Sequence, residues 1–475
     1  MAFDVIIVGA GMAGLGAGIY LQRINPKLKT LIVEQHTIPG GYVTGFKRKG
    51  YYFDGGAEGM GGMGSNQKTS EPLKKLGFEH EFKLIDPLDV YYFEDKVFSL
   101  YSDREQLISE VQKKFPEDLA GFKEFLDVCD QLATDNEQGK DVSKFMKISY
   151  LDFIGKYIKS QCIIDAFNLF SLWFGATPEN FPALLAAICV SRYLLRGVYY
   201  PKNGMQAFSN HLAEFYIDNG GEIKYKSLVT KIKIEEKIAT GIELADGEFI
   251  PCKWLINTAD LKRTFLNYID KKFVPNEYYE FISNIKPSIT GVMIHLGVDM
   301  DLSKYPSHFQ IGNGLNMVAN VEKGNFDMSK IVVRIAENIE PALKNGNKSA
   351  LVSFLFAPYD WNDYWKAGKN KDKKAEYKKY KDEIAEKFLT KIETIIPNIR
   401  EKVEVCEVAT PHTFERYVQV TNGAWYGPYR FQRLPESQTP ISNLLLAGSN
   451  IIGSGAPSAL RSGMNVAKNL LEKMS

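Results

Sequence analysis

The chain of 475 residues has little cysteine and almost no net charge. Its five cysteines, Cys129, Cys162, Cys189, Cys252 and Cys406, are widely scattered. An odd count without a C-x-x-C pair indicates neither a disulfide framework nor a zinc site, and favours free thiols in a reducing cytosol. The six histidines stand apart, without metal-ligand spacing, so no metal is expected. A net charge of +1 exerts no global pull on nucleic acid or anionic membrane. Repeats and low-complexity tails are missing. So are long apolar runs. The longest, Phe181 to Val190 followed by Ser191-Arg192-Tyr193-Leu194-Leu195-Arg196, is too short and too interrupted by charge to span a bilayer. It suits a buried helix and also admits an amphipathic helix dipping into lipid. A strand begins almost at the first residue, so no signal peptide is expected. What remains is the composition of a soluble enzyme, 45% hydrophobic and 24% charged, with length for two or three lobes.

Against these absences stands one dense stretch. Phe3-Asp4-Val5-Ile6-Ile7-Val8 reads as a strand buried on both faces. Gly9-Ala10-Gly11-Met12-Ala13-Gly14 then turns tightly into a helix. Gly9 permits the turn, Gly11 lets backbone approach a pyrophosphate, and Gly14 lets the helix sit close on the strand. The helix start presents free N–H groups and a positive dipole end to phosphates. A second apolar strand ends in Glu34, 20 residues beyond Gly14, where an acid can accept from a ribose diol. The combination predicts dinucleotide binding in a Rossmann-like α/β unit. A second complete fingerprint is missing, because Gly453-Ser454-Gly455 lacks the following glycine.

Further glycines extend the theme. Pro39-Gly40-Gly41-Tyr42 brings backbone towards the same ligand. Tyr51-Tyr52-Phe53-Asp54 leads into six glycines in ten residues from Gly55, which suits passage close to a flat ligand. Val90 to Phe93 and Val97 to Leu100 read as strands about a turn at Glu94-Asp95. Arg104 to Tyr200 is mostly helical in period and rich in large apolar side chains. A helix from Gln206 to Asn219, a small antiparallel unit and a return strand ending at Asn257 follow. Thr290 to Gly297 and Ala350 to Phe356 read as strands, and Lys366 to Lys391 as a solvated outer helix. Asn443 to Asn450 is a buried strand ending in small residues. After Gly453-Ser454-Gly455-Ala456-Pro457-Ser458, a last helix runs through Leu470, its start aimed at something anionic.

In this order the fingerprint, Pro39-Gly40-Gly41, Tyr52-Phe53-Asp54-Gly55-Gly56, Tyr200-Pro201 to Gly204-Met205, Asn257-Thr258-Ala259-Asp260 and Gly455-Ala456-Pro457 resemble the phytoene desaturase and carotenoid isomerase family of FAD oxidoreductases, which includes the retinol saturases. Thr410 to Tyr417 with Gly423-Ala424-Trp425-Tyr426-Gly427 resembles its saturase and isomerase branch. The resemblance implies an α/β fold, α+β overall. Its FAD-binding domain would be assembled from residues 1–80, 200–265 and 405–475. A substrate domain of mixed sheet and helical cap would use 81–199 and 266–404. It implies non-covalent FAD held by Gly9, Ala10, Gly11, Met12, Ala13, Gly14, Glu34, Gln35, Gly40, Gly41, Gly55, Gly56, Ala57, Val229, Gly448, Ser449, Ala456, Pro457 and Ser458. An arginine common near the glycine pair in related flavoproteins is replaced here by Ile38 and Tyr42, which leaves Lys47 or Arg48 to neutralise the phosphates.

The implied activity is desaturation, saturation or isomerisation of carbon–carbon double bonds in an apolar carotenoid- or retinoid-like substrate. Flavin moves a hydride, and the protein must supply or remove one proton. Glu58, His412, Tyr426 and Arg461 are the candidates for that task, each with a structural alternative as turn cap, loop histidine, core tyrosine or carboxylate partner. Two other readings stay open. One is a flavin amine oxidase with Trp425 and Tyr426 as an aromatic cage; the other is a non-catalytic flavin-bearing carrier of an apolar ligand. The electron partner is a quinone, oxygen, a small redox protein or a transiently bound nicotinamide. A cytoplasmic location is expected, with room for peripheral membrane contact through residues 181–196.

Overall fold

The strand Phe3–Val8 is apolar at successive positions because both its faces are covered. In the computed structural model, which describes residues 2–360, 365, 373–453 and 455–474, Val5 and Ile7 face one hydrophobic core while Ile6 and Val8 face another. Thr30–Val33 and Phe249–Asn257 flank this strand, Glu222–Lys224 and Leu444–Leu446 lie outside them, and the five run parallel. The strand Phe249–Asn257 belongs to two arrangements. Its first residues pair antiparallel with Ile238–Leu244, which pairs in turn with Val229–Glu235; its last residues join the parallel sheet. The expected helix, antiparallel unit and return strand are all present, with the helix at Met205–Asp218.

The fingerprint turn is held by close backbone approach. Gly9 adopts φ +99°, and a Cβ on Gly14 would lie 1.9 Å from the Gly9 carbonyl oxygen. The opening helix Met12–Ile24 is crossed by the closing helix Ala456–Met474 just as tightly: a Cβ on Gly463 would lie 1.9 Å from the Ala13 carbonyl oxygen. Backbone against backbone fixes where the opening helix begins.

A second seven-stranded sheet runs in the order Val403–Ala409, Thr290–Val298, Ser349–Ala357, Lys330–Arg334, His308–Gly312, Asp89–Phe93 and Lys96–Leu100. The fold is thus mixed α/β as expected. Residue 405, expected to open the last cofactor segment, sits inside an edge strand of this second sheet, so the chain leaves the sheet a few residues later. Helices Arg104–Lys114, Leu119–Glu137, Gln161–Phe167 and Ala183–Cys189 form a lobe whose side chains share the largest core with the opening and closing helices.

Two expectations are refined. Most of the stretch 181–196 is core: Phe181, Ala183, Ala187 and Leu194 are fully covered and only Arg196 is exposed, which leaves little apolar surface there for membrane docking. No helix among the described residues is long and apolar enough to cross a membrane. The lysine-rich helix is seen at Lys374–Ile392, with 366–372 outside the described residues. It is more than a solvated face, since Ile384, Phe388, Leu389 and Ile392 pack into the core beside the second sheet.

Gly463→Ala should lower the unfolding free energy by about 1–3 kcal/mol, the usual cost of overpacking. A denaturant titration checks it, and a variant as stable as the parent would show that the two helices can separate at no cost.

Candidate flavin site

Two cavities meet at the fingerprint turn. The smaller, about 150 Å³, has Gly9, Glu34, Gln35 and Val229 in its wall. The larger, about 430 Å³, runs from Gly40 past Gly56 and Ala57 to Gly448, Ser449, Ala456, Pro457 and Ser458, with Met12 and Ala13 at the helix start. Both share Gly11, Gly41, Thr258 and Ala259. A Cβ on Gly11 would meet nothing within 4 Å, so this glycine faces open space. The opening helix aims its first N–H groups there.

Glu34 is positioned by the end of its strand and by two main-chain donors. The Ala10 N–H donates to Oε2 at 2.8 Å and the His36 N–H to Oε1 at 2.9 Å. His36 stacks on Tyr417, ring centroids 4.5 Å apart, and closes that end. An acid, then open backbone, then a wide chamber is the layout an extended dinucleotide with a flat ring requires. Three of the expected ligands do not face the space. Ala10 is buried, and its N–H is taken by Glu34. Gly14 meets the Gly9 carbonyl, and Gly55 packs on Thr44. Neither Lys47 nor Arg48 lines a cavity; Arg48 pairs with Glu407 at 3.6 Å on the surface. A phosphate bound here would be left to backbone N–H groups and the helix dipole.

The four proton-handling candidates separate. Glu58 and Tyr426 both line the large cavity. His412 does not; it lies on the helix Pro411–Val418, 3.6 Å from Glu415. Arg461 sits behind the wall, donating to Thr69 Oγ1 and to Ser458 Oγ. Burial raises the Tyr426 hydroxyl above its ordinary range. Burial pushes Glu58 up to about 7, against the pull of Arg334, whose Nε donates to Glu58 Oε2 at 3.0 Å.

Arg334, Asp89 and His308, also in this wall, escaped the reading of the sequence. Arg334 Nη2 donates to Asp89 Oδ2 at 2.9 Å. Burial raises the Asp89 carboxyl and drives His308 well below its ordinary value. The signal for them was charge inside apolar strands: Asp89 before Val90-Tyr91-Tyr92-Phe93 and Arg334 after Ile331-Val332-Val333. A charge in a buried strand demands a partner. Asp54, beneath the glycine-rich segment, was missed in the same way. It accepts from Tyr52 and Tyr200 hydroxyls at 2.9 and 2.7 Å, and burial lifts it to about 7.

A family profile described as flavin containing amine oxidoreductase matches residues 12–471. The chain belongs to this family. Its members carry flavin, and the two-cavity layout has the shape to take one. This flavin oxidoreductase is 22% identical to an all-trans-retinol 13,14-reductase of Danio rerio, over 99% of this chain and 86% of that one. It is 26% identical to a chloroplastic prolycopene isomerase of Daucus carota, over 98% and 79%. These relatives belong to the group that the motifs resemble. An oxidoreductase from Methanosarcina mazei has the same fold, with a TM-score of 0.68 and 16% identity over 98% of this chain and all of that one.

Asp54 gives a pH test. Its carboxyl titrates near 3.8 when unfolded and near 7 when folded, so the folded state keeps the proton between those values. The stability this contributes is full below pH 3.8, falls as pH rises, and is gone above about 7. Relative to Asp54→Asn, the parent should lose roughly 1–4 kcal/mol more between pH 4 and pH 8. Parallel stability–pH curves for the two proteins would show that Asp54 titrates normally.

Proposed function

We propose that this flavoprotein is an FAD-dependent oxidoreductase that holds its cofactor without a covalent link and acts on carbon–carbon double bonds of an apolar isoprenoid or polyene. The observation that carries it is the far wall of the large cavity. Leu169, Leu172, Trp173, Phe174, Met317 and Phe356 make it apolar, broken by one polar cluster at Glu58, Asp89, His308 and Arg334. Such a wall favours a long hydrocarbon by burial and offers one place for proton exchange. The retinol reductase and the prolycopene isomerase are named for substrates of that kind.

Segments 1–80, 200–265 and about 410–475 would hold the cofactor, and the remainder the substrate. Glu34 and Val229 would take the adenosine end, Gly11 and Gly41 the pyrophosphate, and Gly56, Ala57, Gly448, Ser449 and Ala456 to Ser458 the ring. When bound, the flavin supplies hydride transfer at its central nitrogen. The start of the closing helix, 19 residues long, favours negative charge at the edge of the ring. Residues 446–459, which frame that edge, contain neither cysteine nor histidine, consistent with non-covalent binding. Cys189 lines the large cavity, but burial pushes its thiol up to about 12 and leaves it a poor nucleophile.

The amine-oxidase alternative asks Trp425 and Tyr426 to present faces to an amine. Trp425 instead packs within an aromatic cluster, with ring centroids 5.4–5.7 Å from Phe414, Phe356 and Phe354. The carbon-bond reading is therefore preferred.

The purified protein should show a flavin spectrum that bleaches reversibly with dithionite, and heat should release FAD. The reduced protein should then be reoxidised by a polyene, or the oxidised one reduced. Glu34→Gln should weaken FAD binding roughly tenfold to a hundredfold, the worth of a hydrogen bond to a charged group. A colourless protein that takes up no FAD, or one that oxidises amines with peroxide release and leaves polyenes unchanged, would overturn this reading.

A further inference from the structure

Glu58 sits in an apolar wall with one oxygen engaged and the other idle. Its Oε2 accepts from Arg334 Nε at 3.0 Å, while Oε1 is buried and has no hydrogen-bond partner among the described residues. Each nitrogen of Arg334 is engaged behind it. Nη2 donates to Asp89 Oδ2 at 2.9 Å, and Nη1 to the carbonyls of Val333 and Phe309 at 3.0 and 3.4 Å. Asp89 Oδ2 also accepts from Gln310 Nε2 at 3.0 Å. One guanidinium thus serves two carboxyls. Ionised together, the two would leave an uncompensated negative charge in a low-dielectric wall, which is costly. A single retained proton removes it. Asp89, with 1% of its side chain exposed, has Arg334, Gln310 and the nearby Lys330 ammonium to stabilise its charge. Glu58, with 18% of its side chain exposed, has Arg334 alone and opens to the cavity. Asp89 Oδ1 lacks a donor as well, but the additional partners of Asp89 place the proton on Glu58, at Oε1.

We propose that Glu58 is the group that gives a proton to, or takes one from, an unsaturated carbon of the bound ligand, and that Arg334 and Asp89 are positioning residues that aim it. This rests on the carbon-bond reading above. In the reductive direction the π pair of one C=C bond forms a C–H bond with the Glu58 proton. The neighbouring carbon accepts a hydride supplied by reduced flavin. Glu58 is left as carboxylate against Arg334 and recovers a proton from water. Desaturation is the reverse. In isomerisation the proton is given and taken back at the same carbon, and no electrons are exchanged.

The groups facing Glu58 come from four strands and one loop. Arg334 and Asp89 stand on the second sheet, Asp54 on the strand Tyr51–Asp54, and Tyr426 on the opposite loop; the His308 ring holds the Glu58 main-chain carbonyl. Their charges give opposed expectations. Removing the Asp89 charge should make Glu58 easier to ionise, and removing the Arg334 charge should make it harder.

The experiment uses the flavin-loaded protein. Infrared difference spectra across pH 5 to 9 should contain a protonated carboxyl band that titrates near neutrality and is missing from Glu58→Gln. Asp54→Asn separates the second carboxyl expected in that range. In Asp89→Asn the Glu58 titration should move down, and in Arg334→Gln or Arg334→Lys it should move up or stay, never down. Glu58→Gln should keep its flavin spectrum and its binding of all-trans-retinol or a cis-carotene. It should lose turnover by at least about a hundredfold, the usual share of general acid–base catalysis. Parent enzyme run for a single anaerobic turnover in D₂O should place a deuterium on the carbon that receives the proton, in addition to any brought by the hydride on its neighbour. An ordinary carboxylate titration at Glu58, or Glu58→Gln turnover within a few fold of the parent, overturns the proposal while leaving the carbon-bond reading intact. A parent inert towards every polyene overturns that reading and the transfer step together.

Discussion

Everything in the cofactor half depends on how closely two helices and one turn approach each other. Gly14 on the Gly9 carbonyl and Gly463 on the Ala13 carbonyl are contacts of backbone with backbone, with no side chain to give way. Interiors this dense transmit a displacement instead of absorbing it. The start of the opening helix, with its free N–H groups, is therefore fixed relative to the closing helix. That helix carries Ala456, Pro457 and Ser458 in the wall of the large cavity. The two ends of an extended ligand are located by one crossing, made by residues 450 positions apart in sequence.

The other half of the site obeys a different constraint. The second sheet is built of strands buried almost throughout, yet it carries Asp89, Arg334 and Gln310 within them. Gln310 and Arg334 both donate to Asp89 Oδ2, and Arg334 donates on to Glu58, outside the sheet; Asp89 Oδ1 and Gln310 Oε1 find no partner among the described residues. Each open link in such a buried series carries a cost in free energy. The open link at Glu58 Oε1 lies at the cavity.

How far this was legible in the sequence follows from the kind of constraint. Gly9, Gly11 and Glu34 could be read because their roles depend on local spacing: strand, turn, helix and acid follow each other within one unit. Gly14 was legible for the same reason, although it packs on the turn and does not line the ligand space. Gly448 and Ala456 to Ser458 were legible through the motif that they complete. Arg334 and Asp89 were not, because 245 positions separate them and only the order of strands in the second sheet makes them neighbours. His412 and Arg461 misled for the converse reason. Each lies close in sequence to a residue near the cavity, yet its side chain points to Glu415 or to Thr69. Apolar periodicity told that 181–195 is helical but not which side is covered, and the helical lobe covers nearly all of it.

The family name covers amine chemistry, and the fold serves amine and carbon substrates alike, so the distinction must come from the wall itself. A protonated amine entering a buried chamber loses its hydration and needs a counter-charge. Here Asp89 is paired with Arg334, and Glu58, raised to about 7, is only partly ionised at neutral pH, so the cluster presents little net negative charge to the chamber. A hydrocarbon needs no counter-charge. It gains from apolar burial along the whole of the remaining wall and meets, at one point, an acid poised near neutrality. Raising the pH above about 7 would turn that acid into a carboxylate beside the ligand. An acid poised near neutrality in an apolar stretch of the wall fits a substrate that asks for one proton and no charge partner.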